Sequence, residues 1–182
     1  THGIRREDVV SFQLPNWVEA VVIFQALAMI GAIANPIIPI YRQKELIYIL
    51  NLSRTKLLFI PYVFRNFNYL DMVRSMRAQI PGLEKVIVID RYRDRPELVA
   101  DWETEYATFE QSGSVCEEIA PVDERTIMLL LYTSGTTSHP KGVLHSHNTL
   151  IHEMKSIISL NKFNENDVSF VPSPIGHIAG II

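Results

Sequence analysis

Short apolar runs rich in β-branched residues alternate along this chain with longer stretches whose apolar positions recur at helical spacing. The short runs predict strands over 9–14, 32–38, 56–60, 85–89, 127–132 and 168–171. The helical spacing predicts helices over 16–30, 44–51, 69–80 and 149–160. Such alternation is typical of βαβ units, and strands that are apolar on both faces need cover on both sides. We therefore expect an α/β fold, with a mostly parallel sheet flanked by helices.

The 21 residues 20–40 carry no charge, which raises the question of a transmembrane helix. Gly31, Asn35-Pro36 and Pro39 divide it into about 15 helix-like residues and a short isoleucine-rich run. We therefore expect a buried helix that leads into a buried strand, and no membrane span. No signal-peptide or transit-peptide pattern precedes it, so we expect a cytoplasmic protein.

Residues 96–124 form a strongly acidic segment in the middle of the chain. The segment holds nine acidic residues and neither lysine nor arginine. A charge run of this kind is usually a solvated face. We expect a surface excursion between two parts of the sheet, whose charge repels anionic partners.

Composition narrows the class of protein. The chain has 182 residues, near the size of one domain, with 47% hydrophobic and 20% charged residues, which is globular rather than disordered. The net charge is −3 and the pI about 6.1, so no basic field favours nucleic acid. The single cysteine, Cys116, cannot form an internal disulfide, which fits a reducing compartment. No pattern specifies an oligomeric state.

The segment 131–143 carries the most chemistry. Directly after a predicted strand, it places a glycine, a lysine and several hydroxyl side chains in one loop. Gly135 allows close backbone approach, and consecutive amides can form an anion-binding nest. Lys141 adds a positive charge, and hydrogen bonds to charged groups contribute roughly 1.5–3 kcal/mol each. The segment predicts a phosphate-binding loop, with hydroxyl donors from Thr133, Ser134, Thr136 and Thr137.

Familiar phosphate and nucleophile loops do not fit this segment. A Walker A loop needs glycine before the lysine and serine or threonine after it, whereas Pro140 and Gly142 flank Lys141. The dinucleotide pattern G-x-G-x-x-G is absent. A nucleophile elbow needs glycine where Tyr132 and Thr136 stand. A plain Ser/Thr/Gly turn is the other interpretation, but two glycines and a proline at fixed places arise by chance in only about two of ten thousand starts.

Thr133-Ser-Gly-Thr-Thr-Ser-His-Pro-Lys-Gly142 resembles the phosphate-binding signature of the AMP-forming adenylating enzymes. That superfamily contains acyl-CoA synthetases, peptide-synthetase adenylation domains and beetle luciferases. Three more segments match in the family's order: Gln13-Leu-Pro-Asn-Trp17, Gly31-Ala-Ile-Ala-Asn-Pro36 and Pro172-Ser-Pro-Ile-Gly-His-Ile-Ala-Gly180. Segments 35–46 and 62–69 are most similar to bacterial fatty-acid and cyclohexanecarboxylate-type CoA ligases.

The resemblance implies that residues 1–182 are part of the large N-terminal AMP-binding domain of an acyl-CoA synthetase-like fold. The start of that domain, its later motifs and the C-terminal domain are expected outside these residues. We therefore expect the 182 residues alone not to complete catalysis. Gly176 departs from the family pattern, which usually has an aromatic or similar residue there.

The activity implied by the resemblance is ATP-dependent ligation of a carboxylic acid to coenzyme A. The carboxylate attacks the α-phosphate of ATP, pyrophosphate leaves, and the thiol of CoA takes the acyl group from the adenylate. Mg²⁺ would bridge the phosphates. Lys141 and Thr136 are the implied catalytic residues, and His177 and Gly180 would bind the acid. The implied cofactor-binding residues are Thr133, Ser134, Gly135, Thr136, Thr137, Lys141 and Gly142.

Three alternative functions stay open. An adenylation domain that loads a carrier protein would share the loop, and a non-catalytic nucleotide-binding module would bind ATP without forming an adenylate. The third is a metal-binding module, because four histidines lie within 14 residues: His139, His145, His147 and His152. His145 and His147 would share one face of a strand, but neither cysteine nor aspartate joins them, so we expect no metal site. Asn148 is the expected cap of the helix that follows.

Overall fold

The computed structural model describes residues 2–92, 94, 96–113, 119, 121–133 and 140–182. Its strands are β1 (Val9–Phe12), β2 (Ile33–Pro36), β3 (Leu57–Pro61), β4 (Val63–Phe64), β5 (Phe67–Asn68), β6 (Lys85–Ile89), β7 (Glu103–Glu105), β8 (Ile127–Thr133) and β9 (Lys141–Ser146). Its α-helices are α1 (Val18–Ile30), α2 (Gln43–Leu52), α3 (Tyr69–Met76), α4 (Tyr106–Gln111) and α5 (His147–Asn161). Short 3-10 helices follow at Arg77–Gln79 and Ile178–Gly180.

Seven strands form one sheet in the order β7-β6-β3-β1-β2-β8-β9. Every neighbouring pair is parallel except β8 with β9, which are antiparallel. β4 and β5 form a separate antiparallel hairpin directly after β3. The expected α/β fold with a mostly parallel sheet is therefore confirmed.

Two apolar cores cover the two faces of the sheet. On β6, Val86 and Val88 belong to the core under α2 and α3, whereas Ile87 and Ile89 belong to the core under α1 and α4. Successive strand residues point to opposite faces, so a strand buried on both sides is apolar at most positions. This is why the strands read as continuous apolar runs in the sequence.

A chain of buried polar side chains crosses the central strands. Asn35 Nδ2 on β2 donates to Ser11 Oγ on β1 at 2.7 Å. Ser11 Oγ lies 2.6 Å from Thr55 Oγ1, which lies 2.7 Å from Ser53 Oγ. All four residues are buried. Because hydroxyls pair over short distances, this chain fixes the register of β1 against β2 and ties the α2–β3 connection to both.

The helix α1 departs from expectation on its outer side. Ala20, Ile23 and Leu27 are buried against the sheet, but Val18 and Val21 are more than half exposed. The expectation of a wholly buried helix is therefore wrong for the face turned away from the sheet. Within the described part of the chain, no helix is long and apolar enough to cross a membrane.

The strand predicted at 168–171 is wrong. Those residues have no regular structure, and Val168 and Phe170 are 97% and 88% exposed. A strand needs a neighbour for its backbone hydrogen bonds, and none of the described strands lies beside this run. The apolar composition was therefore a misleading signal here.

The acidic segment 96–124 is not a solvated excursion throughout, because Glu103 within it is buried in the edge strand β7. Arg74 of α3 donates from Nε to Oε1 at 2.6 Å and from Nη2 to Oε2 at 2.7 Å, and the Val99 amide donates to Oε2 at 2.9 Å. The hydrogen bonds from Arg74 outweigh burial and lower the pKa of Glu103 from 4.5.

Glu103 makes the stability of the protein dependent on pH in the acidic range. A lowered pKa stabilises the fold fully above about pH 4.5, where the unfolded chain is also ionised, and that contribution is lost as the pH falls through the folded pKa. We expect Glu103→Gln to cost about 3 kcal/mol of unfolding free energy at pH 7, because Arg74 loses its charge partner, and to flatten the loss of stability in acid. Urea titrations at several pH values measure both effects.

The matched control is Asp71→Asn. Asp71 also contacts Arg74, at 3.7 Å, but its side chain is 66% exposed. Exposed ion pairs contribute little, so this variant should lose less than about 1 kcal/mol. A loss in Glu103→Gln no greater than in Asp71→Asn would contradict the buried pair.

Candidate functional site

The carboxyl ends of the parallel strands gather several loops at one edge of the sheet. The loops 13–17 and 37–42 follow β1 and β2, and β8 ends at the same edge with Thr133. In open α/β sheets this edge is where ligands bind, because the strand ends leave a crevice between loops. β2 alone separates β1 from β8, so the ends of these strands lie about 10 Å apart.

The loop predicted to bind phosphate joins β8 to β9. Thr133 pairs with Lys141 and Tyr132 pairs with Gly142 across the antiparallel ladder. Directly paired residues project their side chains to the same face of a sheet, so the side chains of Thr133 and Lys141 lie on one face. Both residues are exposed at the mouth of the loop.

Most of the predicted loop donors fall outside the part of the chain that the structure describes. These are Ser134, Gly135, Thr136 and Thr137, together with His139. Their predicted roles stay predictions. What the structure gives is the frame that closes the loop, which is the pair formed by Thr133 and Lys141.

Gly142 lies close to side chains of the neighbouring strand β8. A Cβ at Gly142 would lie 3.1 Å from Leu130 Cδ1 and 3.5 Å from Tyr132 Cε1. Tyr132 itself is buried, and burial raises the pKa of its phenol to about 12. The phenol therefore stays protonated at neutral pH. No sequence pattern pointed to Tyr132, because it occupies an apolar strand position.

The predicted acid-binding residues His177 and Gly180 lie in a compact turn at 173–180. Gly176 is buried, and a Cβ there would lie 2.7 Å from Ile38 N. Gly180 packs as closely on the carbonyl of Pro174. A side chain larger than hydrogen does not fit either position without movement of the backbone, so the packing of this turn requires the glycine at 176.

The imidazole of His177 is exposed and oriented by its own turn. Its Nδ1 accepts a hydrogen bond from the Ala179 amide at 3.2 Å and caps the 3-10 helix Ile178–Gly180. In the neutral ring, an accepting Nδ1 leaves the proton on Nε2. His177 therefore presents an N–H donor away from the turn.

Two side-chain amides in the β1–α1 loop hold the neighbouring loops. Gln13 Nε2 donates to Ile38 O at 3.2 Å and to Tyr41 O at 2.9 Å. Asn16 Nδ2 donates to Ser173 O at 2.8 Å, and Asn16 Oδ1 accepts from the Ile175 amide at 2.9 Å. The sequence offered this segment only as a family match and assigned its residues no role.

The histidine cluster does not share a strand. β9 ends at Ser146, whose Oγ accepts from the Thr149 amide and caps α5, so the expected cap Asn148 is wrong. His147 begins the helix and therefore does not lie on one strand face with His145. Among the described residues, no three or more histidine, cysteine, aspartate or glutamate side chains are grouped to hold a metal ion.

The profile of the family described as AMP-binding enzyme matches residues 1–182. A medium-chain fatty-acid–CoA ligase of Escherichia coli (strain K12) is 30% identical over 186 residues, which is 99% of this chain and 31% of that protein. A long-chain-fatty-acid–CoA ligase of Mycobacterium tuberculosis (strain H37Rv) is 30% identical over 98% of this chain and 32% of that protein. The chain thus spans about a third of the length of these curated relatives.

Solved structures share the fold. Acetoacetyl-CoA synthetase from Streptomyces lividans superposes with a TM-score of 0.81 at 23% identity, over 98% of this chain and 29% of that one. The anthranilate CoA ligase AuaEII, solved in complex with anthranoyl-AMP, gives 0.72 at 26% identity, over 85% of this chain and 28% of that one. The arrangement of strands and helices is therefore an acyl-CoA synthetase-like fold.

Replacement of Gly176 tests the close packing of the turn. A methyl group there would meet backbone atoms at Ile37 and Ile38, which cannot rotate away. We expect Gly176→Ala to lower the free energy of unfolding by about 1–3 kcal/mol in urea titrations. Gly82→Ala is the matched control, since a Cβ there has nothing within 4 Å. Equal stability of the two variants would argue against the close approach.

Proposed function

We propose that this chain, which belongs to the AMP-binding enzyme family, is the phosphate-loop part of an ATP-dependent carboxylic acid–CoA ligase. The activity is proposed for the natural protein that contains these residues, because the chain spans only about a third of its relatives. The reaction has two steps. A carboxylate oxygen attacks the α-phosphorus of ATP and displaces pyrophosphate, and the CoA thiol then displaces AMP from the acyl-adenylate and loses its proton.

The observation that carries this proposal is the pairing of Thr133 with Lys141. It brings both ends of a loop rich in hydroxyls and glycine to one point at the carboxyl edge of the sheet. A polyphosphate needs short donors and a mobile positive charge in one place, and a β-hairpin with these ends supplies both. We assign Thr133, Ser134, Gly135, Thr136, Thr137, Lys141 and Gly142 to the β- and γ-phosphates.

Magnesium enters this proposal as the counter-ion of the substrate ATP. The paired ends of the loop carry a hydroxyl and an ammonium group rather than carboxylates. Phosphate oxygens and water are ligands that Mg²⁺ accepts readily, so the ion needs few ligands from the protein. Lys141 and Thr136 then stabilise the negative charge that develops as pyrophosphate leaves.

The acid is proposed to bind beside the turn that carries His177 and Gly180. This turn packs against the residue after β2, and the phosphate loop follows β8, the next strand in the sheet. An acyl-adenylate could therefore span from one to the other along the sheet edge. The Nε2–H of His177 is a suitable donor to the acyl or adenylate oxygens, and the bare backbone at Gly180 allows the turn to stay tight.

The first acids to test are medium- and long-chain fatty acids, because two relatives are named as CoA ligases for these acids. Coenzyme A is the proposed acceptor on the same ground. We also propose that the enzyme works in the cytoplasm. The decisive assay is acid-dependent exchange of labelled pyrophosphate into ATP by the natural protein, followed by identification of the thioester. Transfer to a phosphopantetheinylated carrier protein instead of CoA would identify the alternative acceptor, and ATP binding without exchange would identify a non-catalytic module.

Substitution of Lys141 tests its role on the phosphates. Loss of a charged hydrogen bond costs roughly 1.5–3 kcal/mol, so we expect Lys141→Ala to reduce kcat/KM for ATP in the exchange assay by about 10- to 150-fold. The thermal midpoint should not change, because Lys141 is exposed. Lys155→Ala, on the exposed surface of α5, is the matched control and should behave as wild type. Equal kcat/KM in the two variants would exclude Lys141 from the phosphate site.

A further inference from the structure

Asn16 joins two segments that are far apart in sequence. Its amide nitrogen donates to Ser173 O and its amide oxygen accepts from the Ile175 amide, at 2.8 and 2.9 Å. A primary amide that bonds the C=O of one residue and the N–H of the residue two positions later imitates the edge of a neighbouring strand. The backbone of 173–175 thus has a side chain in place of a strand partner.

This pairing depends on the residue type. Asparagine carries one donor group and one acceptor group on the same short side chain, whereas an ionised aspartate carries acceptors only. An aspartate at position 16 would keep the bond from Ile175 but direct an oxygen at Ser173 O, which repels it. Alanine removes both bonds. The geometry therefore distinguishes these two substitutions from asparagine.

Other contacts of the described residues hold the turn as well. Val168 and Phe170 before it are almost fully exposed among these residues, whereas Ile175 within it packs on the core under α1. The restraints after it are the contact of Gly176 with Ile37 and Ile38 and the hydrogen bond from the His177 amide to Pro174 O at 2.9 Å. The hydrogen bonds of Asn16 restrain the first residues of the turn, and one of them ends at Ile175, two residues before His177.

We propose that Asn16 is a positioning residue, which fixes the turn 173–180 on the β1–α1 loop and so aims the Nε2–H of His177 at the carboxylic acid. The inference rests on the proposed function of His177. Within the turn, the bond from the Ala179 amide to Nδ1 fixes the ring. Asn16 fixes the turn relative to the sheet. The two together determine where the donor points, although Asn16 does not touch the acid.

A positioning role predicts an effect on one substrate only. The phosphate loop is closed by the ladder between β8 and β9, which Asn16 does not contact. In acid-dependent pyrophosphate exchange by the natural protein, we expect Asn16→Ala to raise the KM for the acid about tenfold and to change the KM for ATP less than about twofold. Asn16→Asp should resemble Asn16→Ala.

The matched control is Asn51→Ala. Asn51 is also exposed, and its Nδ2 donates to a backbone carbonyl, Gln79 O, at the same 2.8 Å, but it lies at the end of α2 away from the turn. This variant loses a bond of the same kind and should keep the wild-type KM for both substrates. An equal rise of the two KM values in Asn16→Ala would show a general structural effect and overturn the proposal.

A double-mutant cycle with His177→Ala tests whether Asn16 acts through the histidine. If it does, Asn16→Ala adds no further rise in the KM for the acid once the imidazole is removed. Independent, additive effects of the two substitutions would overturn the inference.

Hydrogen exchange at the Ile175 amide separates this inference from the proposed function, because it requires no activity. We expect Asn16→Ala to accelerate exchange in the peptide that contains Ile175, and Asn51→Ala to leave it unchanged. If the Ile175 amide exchanges no faster in Asn16→Ala than in the wild type, the proposed positioning by Asn16 is overturned, even if the enzyme is active. If the wild-type protein instead shows no acid-dependent exchange of pyrophosphate, the proposed function fails and the aim of His177 at an acid fails with it.

Discussion

Because β1 lies between β2 and β3 and runs parallel to both, neither of its edges is free and both of its faces need cover. Parallel strands cannot be joined by tight turns, so the connections from β1 to β2 and from β2 to β3 each cross over the sheet as a helix. That constraint places α1 on one face and α2 on the other, and it creates two cores rather than one. It also brings the loops that follow the strands to a single edge, where side chains far apart in sequence become neighbours.

The antiparallel return of β9 on β8 interrupts this pattern at the place where the proposed chemistry lies. A crossover helix here would carry the chain away from the edge, whereas a hairpin keeps both ends of the loop beside each other. Thr133 and Lys141 are thereby a pair and not merely members of one segment. The turn at His177 returns to the same edge by contact with the loops after β1 and β2. The proposed sites for phosphate and for acid thus lie in separate structural units that share one sheet.

Much of this fold could be predicted because helical and strand periodicities reflect local geometry. The strand β6 is apolar from Val86 to Ile89 because both of its faces are buried. The failures occur where a distant partner decides the outcome. Val168 and Phe170 have strand-like composition but no neighbouring strand, and Glu103 is buried because Arg74 reaches it from another element. Periodicity contains no information about such partners.

The same reason separates the two halves of the candidate site. The phosphate loop is a prediction that the sequence alone supports, because its residue types are contiguous and each contributes a recognisable donor or a glycine. The contacts of Asn16 could not be predicted, since its partners lie more than 150 residues away and an asparagine before a helix has many ordinary uses. The cap at Ser146 was missed on a smaller scale, because Asn148 is an equally good capping residue and only the length of β9 decides between them.

The buried polar chain on the central strands has a direction. Asn35 can only donate from its amide nitrogen, and the last member, Ser53, donates to the carbonyl of Leu50 at 3.4 Å. With one proton on each hydroxyl, Ser11 must donate to Thr55 and Thr55 to Ser53, so the bonds all point the same way. Aligned hydroxyl dipoles polarise one another. The hydrogen bonds therefore run in one direction, from β2 through β1 to the connection between α2 and β3, and the side chains at both ends determine that direction.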